Sequence, residues 1–286
     1  YGAWNGLQSG SRNPYRNNTQ LTSATETDEA AMRSAGRTLV VIATYNELEN
    51  LPRLVEEIHR LCPEVDILVI DDNSPDGTGR WCERRAAEDA RLRCLHRPGK
   101  LGLGSALAAG MRHAIENQYE YVVTLDADFS HPPRFVPELL ARMQRPSWGG
   151  GDFATRDAPP DVVIGSRYVP GGAVEGWPLR RRLMSRVVNT YARWLLGLPV
   201  RDCSGGFRCY RVETLRRIDL DRLVGQGYGF LEEILWRLRR AGARLTETPI
   251  VFVDRRAGRS KISLAEAVSA VWLIFRLWLR GLLRRG

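Results

Sequence analysis

From Thr38 to Ser166, short apolar runs alternate strictly with segments of helical spacing, and this alternation leaves few folds open. Thr38-Leu39-Val40-Val41-Ile42-Ala43 is a continuous apolar run of the kind found in strands covered on both faces. Leu51, Leu54, Val55, Ile58 and Leu61 follow at helical spacing, with Pro52 suited to the first turn. The same reading gives strands at Asp66–Ile70, Leu92–His96, Tyr121–Leu125 and Asp161–Ser166. Helices are expected at Gly79–Ala90, Ser105–Glu116 and Phe135–Met143. Strand and helix in turn predict an α/β fold: a mainly parallel sheet with helices on both faces. Ligands of such sheets sit beyond the carboxyl ends of the strands.

Chemistry-bearing residues cluster at those ends: Thr44 to Glu47, Asp71 and Asp72, Asp126 and Asp128, and Arg167. Alternation along an extended chain puts Asp126 and Asp128 on one side, where two carboxylates suit a hard divalent cation such as Mg²⁺ or Mn²⁺. The plainer reading of D-x-D is a turn after a strand. Asp71-Asp72-Asn73-Ser74-Pro75-Asp76-Gly77-Thr78 admits the same two readings, acids that meet a base or ribose or simple turn formers. Gly99-Lys100-Leu101-Gly102-Leu103-Gly104 has the order G-x-x-G-x-G, neither a dinucleotide fingerprint nor a P-loop. It is either a turn whose amides approach a phosphate or a tight connection without a ligand.

Arg167, the Arg180-Arg181-Arg182 run with Ser185, and the loop with Arg255, Arg256, Arg259 and Lys261 are rich in phosphate-gripping groups. A solvated basic face is the competing reading. His131 is read as structural, and His59, His96 and His113 form no constellation. The net charge of +9 calls for an anionic partner without choosing one. Five cysteines without a C-x-x-C pair argue against zinc and for a reducing compartment. No apolar leader core stands near Tyr1.

Residues 1–36 are polar and aperiodic and are expected to form a disordered tail. Residues 146 to 160 read as a surface loop, 186 to 197 as a helix, and Arg244 to Val253 as a second strand region. In the C-terminal segment, 263–286, Leu264, Val268, Val271, Trp272, Phe275, Leu279, Leu282 and Leu283 share one helical face. Arg276, Arg280 and Arg284 stripe the other. Its uncharged run falls short of the roughly 20 residues of a spanning helix. An amphipathic helix lying in a bilayer interface is expected, against a helix packed on its own domain or on another subunit.

Taken in order, the motifs resemble those of the dolichol-phosphate (polyprenol-phosphate) mannose synthases, inverting GT-A enzymes of glycosyltransferase family 2. The resemblance runs over about residues 38 to 263. It rests on Ala43-Thr44-Tyr45-Asn46-Glu47, Asp71 to Thr78, Asp126-Ala127-Asp128-Phe129-Ser130-His131-Pro132 and Gly165-Ser166-Arg167-Tyr168. Gly176-Trp177, Asp202-Cys203-Ser204-Gly205-Gly206-Phe207-Arg208, Gly227-Tyr228-Gly229-Phe230 and Arg255 to Lys261 complete it. It implies a GT-A (Rossmann-like) domain over 37–262 and transfer of mannose from GDP-mannose to a polyprenyl phosphate on the cytoplasmic face of a membrane. By that resemblance Tyr45, Glu47 and Asp72 contact the nucleotide, with Thr44, Lys100 and Ala127 completing the nucleotide-sugar set. Asp126 and Asp128 hold Mg²⁺ or Mn²⁺, with Ser130 where relatives often have Gln. Arg167, Arg181 and Ser185 hold the acceptor phosphate, Arg167 is counted with Asp126 and Asp128 as catalytic, and Arg255 and Lys261 close over the diphosphate.

Three positions depart from the pattern. Ala43 replaces a usual Pro, Leu231 replaces a common Gln with Glu233 filling the acidic position, and Ser130 has a shorter reach than Gln. The expected reaction is one in-line displacement with inversion at the anomeric carbon. Alternatives are a polyprenyl-phosphate glucosyl or other sugar transferase using a UDP-sugar, a nucleotide-dependent oxidoreductase, and a nonenzymatic basic module binding lipid or nucleic acid. The acidic pairs at strand ends speak against nucleic acid as a partner. Any membrane-spanning anchor is expected to be a separate subunit.

Overall fold

The structure, a computed structural model, describes residues 36–145, 158–225, 227–254 and 264–283. The expected tail (apart from Gly36), most of the 146–160 loop, and Arg255 and Lys261 lie outside the described residues.

Seven strands form the main sheet in the order β3-β2-β1-β4-β7-β5-β8. They are β1 (Thr38–Thr44), β2 (Asp66–Asp71), β3 (Leu92–His96), β4 (Tyr121–Asp126), β5 (Val162–Ser166), β7 (Arg208–Arg211) and β8 (Leu245–Pro249). β1 pairs in parallel with β2 and β4, β2 with β3, and β5 with β8. Only β7 runs against its neighbours, β4 and β5. A second, two-stranded parallel sheet joins β6 (Ala173–Glu175) to β9 (Val251–Val253).

Alternate residues of the central strands are buried on opposite faces, as the unbroken apolar runs require. Leu39, Val41, Leu68, Ile70, Val122, Val162, Ile164 and Tyr210 belong to one core cluster. That cluster also takes in residues of α3 (Leu103–Glu116), α5 (Leu179–Leu196), α7 (Tyr228–Arg240) and α8 (Leu264–Leu283). The intervening Val40, Ile42, Ile67, Val69, Val123 and Val163 are also buried. α4 (Val136–Gln144) packs on β5, β7 and β8, and α1 (Leu51–Leu61) packs on α4. α1 turns Leu51, Leu54, Val55 and Ile58 inward, with Pro52 in its first turn. α2 (Thr78–Glu88) covers β2 and β3, and the short α6 (Val212–Leu215) follows β7.

Several elements differ from the expectation, and none had been expected at β6, α6 or α7. β7 was not foreseen, because Arg208-Cys209-Tyr210-Arg211 carries charge at both ends and has no apolar run. Arg208 is nonetheless fully buried, donating to the carbonyls of Cys203 (2.6 Å) and Leu231 (2.8 Å). The region Arg244–Val253 divides at Ile250 into strands of two different sheets. α5 starts seven residues before the expected 186, through the arginine run.

α8 packs on its own domain, one of the readings offered for it. Ile274 and Leu277 are buried against α5 and α7, while Val271, Trp272, Phe275 and Leu279 stay exposed. No helix among the described residues is long and apolar enough to cross a membrane.

Candidate active site at the carboxyl ends of the strands

The chain leaves β1 toward β2 and β3, then crosses back to place β4 on the other side of β1. The carboxyl ends of β1 and β4 therefore flank a topological switch point, where open α/β sheets bind ligands. Register brings the candidates into line: Ala43 opposite Asp126, Thr44 opposite Asp71, and Asp71 opposite His96.

At the end of β4 the Asp126 side chain is about 39% exposed, whereas Asp128 is 8% exposed as a residue. Asp128 Oδ1 accepts from the Ser130 amide at 3.0 Å, and Phe129 between them takes φ 60°. A bulky side chain in the left-handed region is costly, and such residues concentrate at functional turns. Asn46 (φ 62°) and Asn73 (φ 57°), just past β1 and β2, share that conformation. His131 fastens the turn. Its Nδ1 accepts from the Asp126 amide at 3.2 Å, and its ring lies 5.3 Å from Phe207 and 5.4 Å from Phe252. Burial drives its pKa down, so the imidazole is neutral with its proton on Nε2. The 3.5 Å approach of Asp126 Oδ2 to Nδ1 is accordingly no ion pair. His131 has the structural role expected from sequence.

Gly206 forms the opposite wall. Its carbonyl accepts from Thr124 Oγ1 at 2.6 Å, and a Cβ there would stand 3.6 Å from Asp126 Oδ1. Glycine thus keeps the space beside this carboxylate clear. Ser130 Oγ is buried without a hydrogen-bond partner. Among the described residues no group of three or more His, Cys, Asp or Glu side chains could hold a metal. Asp126 and Asp128 fit a cation shared with an external diphosphate and water, not a closed protein cage.

The two acids ending β2 are occupied structurally. Asp71 accepts from Thr44 Oγ1 (3.1 Å) and from the Ser74 amide (3.0 Å), which closes the Asp71–Thr78 turn. Asp72, expected to contact the nucleotide, is held by protein partners at the end of β2. Its Oδ1 pairs with the Arg97 guanidinium, and its Oδ2 accepts from the amides of Leu101 (3.1 Å) and Gly102 (3.2 Å). A buried carboxylate needs such partners, and these leave Asp72 shaping the glycine-rich turn. Thr44 is likewise a buried strut between β1 and β2.

The glycine-rich turn divides by position. A Cβ at Gly104 would meet Phe230 Cβ at 2.7 Å, so this glycine lets α3 abut α7. Gly102, at φ +91°, faces open space. Beside it lies a cleft of about 700 Å³ lined by Lys100, Gly102, Ser105, Val224, Gly225 and Phe230, among others. Lys100 Nζ sits 4.1 Å from the centroid of the half-exposed Tyr45 ring, so these two predicted residues meet at the rim. Glu47 accepts from Asn50 Nδ2 at 2.9 Å while its amide donates to Thr78 Oγ1 at 3.0 Å.

On the β5 side, Arg167 was expected to hold a phosphate. It is buried, with Nε and Nη2 each 2.7 Å from Asp202 and Nη2 3.0 Å from Ser204 Oγ. Burial alone would raise the Asp202 pKa, but the charge and hydrogen bonds of Arg167 outweigh it and hold the carboxyl below the usual range. Arg167 is thereby tied to the wall through Asp202 and Ser204. Ser185 shares a 2.6 Å hydrogen bond with Tyr168 OH, and Asn189 links it to Ser204. Arg181 is more accessible, 3.0 Å from Asp254 and stacked 4.0 Å over Trp177.

Asp202, Ser204, Asn189, Arg97 and Gly206 were assigned no role from sequence. Asp202, Ser204 and Gly206 stood within the quoted Asp202–Arg208 motif, while Asn189 and Arg97 carried no signal. Glu232 was also overlooked. Burial lifts its carboxyl to about 8, and its Oε2 has no partner. Such a group holds a proton in the folded chain that the unfolded chain releases above about pH 4.3. Stability is then expected to fall as pH rises toward 8, and Glu232→Gln should flatten that fall. The gain, at about 1.4 kcal/mol per unit, is a few kcal/mol at most. Urea melts of both proteins at pH 5 and pH 8.5 check this; parallel pH dependences would refute it.

The glycosyl transferase family 2 profile matches residues 39–150. Polyprenol monophosphomannose synthase of Mycolicibacterium smegmatis is 42% identical over 91% of this chain and 93% of its own length. Undecaprenyl-phosphate mannosyltransferase of Micrococcus luteus is 44% identical over 85% and 96%. Among solved structures, glucosyl-3-phosphoglycerate synthase of Mycobacterium tuberculosis with Mn²⁺ and UDP superposes with TM-score 0.58 at 21% identity, covering 93% of this chain and 84% of that one. A mannosyltransferase of Pyrobaculum calidifontis with GDP-Man and Mn²⁺ gives 0.55 at 17%, covering 91% and 72%. These two establish the fold, which is the GT-A fold expected from sequence. With relatives above 40% identity along nearly its whole length, the chain belongs to glycosyl transferase family 2.

Proposed function

We propose that this protein transfers mannose from GDP-mannose to a polyprenyl phosphate, with inversion, at a membrane surface. The observation that carries the chemistry is the fixed turn presenting Asp126 and Asp128 at the switch point, with Gly206 keeping the space beside Asp126 clear. The donor and acceptor are read from the two mannosyltransferase relatives. A Mg²⁺ or Mn²⁺ ion held by Asp126 and Asp128, near the orphaned Ser130 hydroxyl, would supply Lewis-acid stabilisation of the departing diphosphate. Lys100 and Tyr45 form the rim against which the nucleotide lies.

The acceptor needs little activation. A phosphate monoester with a second pKa near 6 is largely dianionic at pH 7 and attacks without a general base. His131 is buried, neutral and committed to the Asp126 amide, and so is unsuited to that task. Arg181, partly exposed and stacked on Trp177, would orient an incoming phosphate, with the buried Arg167–Asp202 pair bracing that wall. All five cysteines are free, which accords with a peripheral enzyme on the cytoplasmic face.

The direct test offers radiolabelled GDP-mannose and UDP-glucose, each with undecaprenyl phosphate and Mn²⁺ or Mg²⁺, and extracts product into organic solvent. Label should enter the lipid from GDP-mannose alone. Transfer from UDP-glucose would favour the glucosyl alternative, and no transfer from either would refute the reading.

A further inference from the structure

β3 is an edge strand of the main sheet, and α2 packs on the face to which Cys94 and His96 alternate. Cys82, fully buried on the inner side of α2, hydrogen-bonds the partly buried thiol of Cys94. The two side chains interleave. Cys82 Sγ lies 3.9 Å from the Arg93 carbonyl, and Cys94 Sγ lies 4.0 Å from the Gly79 carbonyl. The sequence reading gave His96 no constellation, but the fold sets its Nε2 3.3 Å from Cys94 Sγ and 2.8 Å from Glu83 Oε1. Across the ring, Nδ1 stands 3.9 Å from Asp71 Oδ2. With its proton on Nδ1, this imidazole can take the Cys94 proton, and the imidazolium formed stands between two carboxylates. Cys62, Cys203 and Cys209 differ: all are buried, and burial raises each pKa, that of Cys62 to about 12.

We propose that Cys82 and Cys94 are a dithiol–disulfide pair, closed by hydrogen peroxide and reopened by a small thiol, whose bond draws α2 toward β3. The Cys94 thiolate attacks the peroxide O–O bond and becomes a sulfenic acid as hydroxide leaves. The hydroxide takes the proton held by His96, giving water. Cys82 sulfur then attacks Cys94 sulfur, and the sulfenic hydroxyl departs with the Cys82 proton as a second water. Two electrons pass from the thiol pair to the peroxide. Two equivalents of a small thiol reverse the step and end as their own disulfide. Bond formation brings the sulfurs to about 2.05 Å. The first turn of α2 has no slack here, since a Cβ on Gly79 would stand 2.5 Å from His96 Cε1 and 2.7 Å from Asp71 Oδ2. That turn also carries the loop after β1. Thr78 Oγ1 accepts from the Glu47 amide, and Asp76 Oδ2 from the Leu48 amide, each at 3.0 Å. Closing the bond therefore displaces the loop of Tyr45 and Glu47, a consequence for donor binding that rests on the proposed GDP-mannose reading.

The test treats the reduced full chain with hydrogen peroxide, alkylates it under denaturing conditions and maps its peptides by mass spectrometry. A peptide pair joining Cys82 to Cys94, two hydrogens lighter and split by dithiothreitol, is expected, with Cys62, Cys203 and Cys209 alkylated. This readout needs no donor, so the bond and the proposed function can fail separately. His96→Gln should slow closure roughly tenfold and leave GDP affinity of the reduced chain unchanged. GDP with Mn²⁺, titrated by calorimetry, should bind the linked chain roughly threefold or more weakly than the reduced one. Cys94→Ser, at a partly exposed edge-strand position, should bind GDP as the reduced chain does and lose all response to peroxide. Links between molecules only, or oxidation of Cys94 without linkage to Cys82, would overturn the proposal. So would equal GDP affinity of the linked and reduced chains, or a peroxide effect that persists in Cys94→Ser.

Discussion

Asp128→Asn is expected to lower kcat/KM for mannosyl transfer by about 10²–10³-fold or more. The substitution is close to isosteric, and the asparagine carbonyl oxygen still accepts from the Ser130 amide, so the turn and the Phe129 conformation should persist. What is removed is a negative charge in a mostly buried position, two residues from the more exposed Asp126. If two carboxylates and the donor diphosphate share one cation, the variant should also need more Mn²⁺ for half-maximal GDP-mannose binding and gain less from it. Melting temperature should change little. The measurement is kcat/KM across a Mn²⁺ titration, with donor affinity by calorimetry. Activity within tenfold of wild type at every metal concentration would rule out the shared-cation arrangement.

Asp202→Ala should have the largest effect on stability. The Asp202 side chain is fully buried and grips Arg167 through two 2.7 Å hydrogen bonds, and its Oδ2 also accepts from the Arg167 amide at 3.1 Å. Removing one partner of a buried ion pair costs about 3–5 kcal/mol. For a domain of this size that is on the order of 10 °C in melting temperature. The pH dependence has a definite sign. A carboxyl held below its usual pKa in the folded state contributes stability that is present above about pH 3.9, its unfolded value, and lost as pH falls through the folded value. Wild type should therefore lose an increment of stability on acidification that Asp202→Ala no longer has to lose. A paired Arg167→Met, Asp202→Leu variant should recover part of the loss, since an apolar pair avoids the desolvation of two charges. Activity separates structure from chemistry. If Arg167 only positions the wall, the paired variant should retain transfer while the single variant does not.

Much of the fold was legible because it is written in local periodicity. Leu39 to Ala43, Ile67 to Ile70 and Val122 to Leu125 have no polar interruption beyond Thr124, and strands of that kind are stable only when covered on both faces. β7 was not legible, because a strand that buries an arginine has no apolar signature. Arg208 is tolerated there only because carbonyls of Cys203 and Leu231 meet it, and these come from elsewhere in the chain. The start of α5 was missed for a related reason. Three consecutive arginines look like a solvated loop until Asp254 and the Trp177 carbonyl and ring are in place to receive them.

The site divides in the same way. The acidic pair at the end of β4 could be located from sequence, since a strand end and an i, i+2 spacing fix where two carboxylates point. Which of the other acids and arginines face the cleft could not. Asp72 and Asp126 are the same side chain at equivalent strand ends. One is consumed by Arg97 and two amides, 25 to 30 residues away, and the other stands partly open beside Gly206. Arg167 and Arg181 are likewise indistinguishable on paper, yet Asp202 draws the first into the interior. Sequence alone determined the alternating strands and helices from Thr38 to Ser166 and the address of the metal-binding candidates, because these follow from contacts within a few residues. Tertiary structure decided which charges are buried and paired, because a carboxylate or guanidinium is stable in the interior only beside a partner that the folded chain, not the local sequence, delivers.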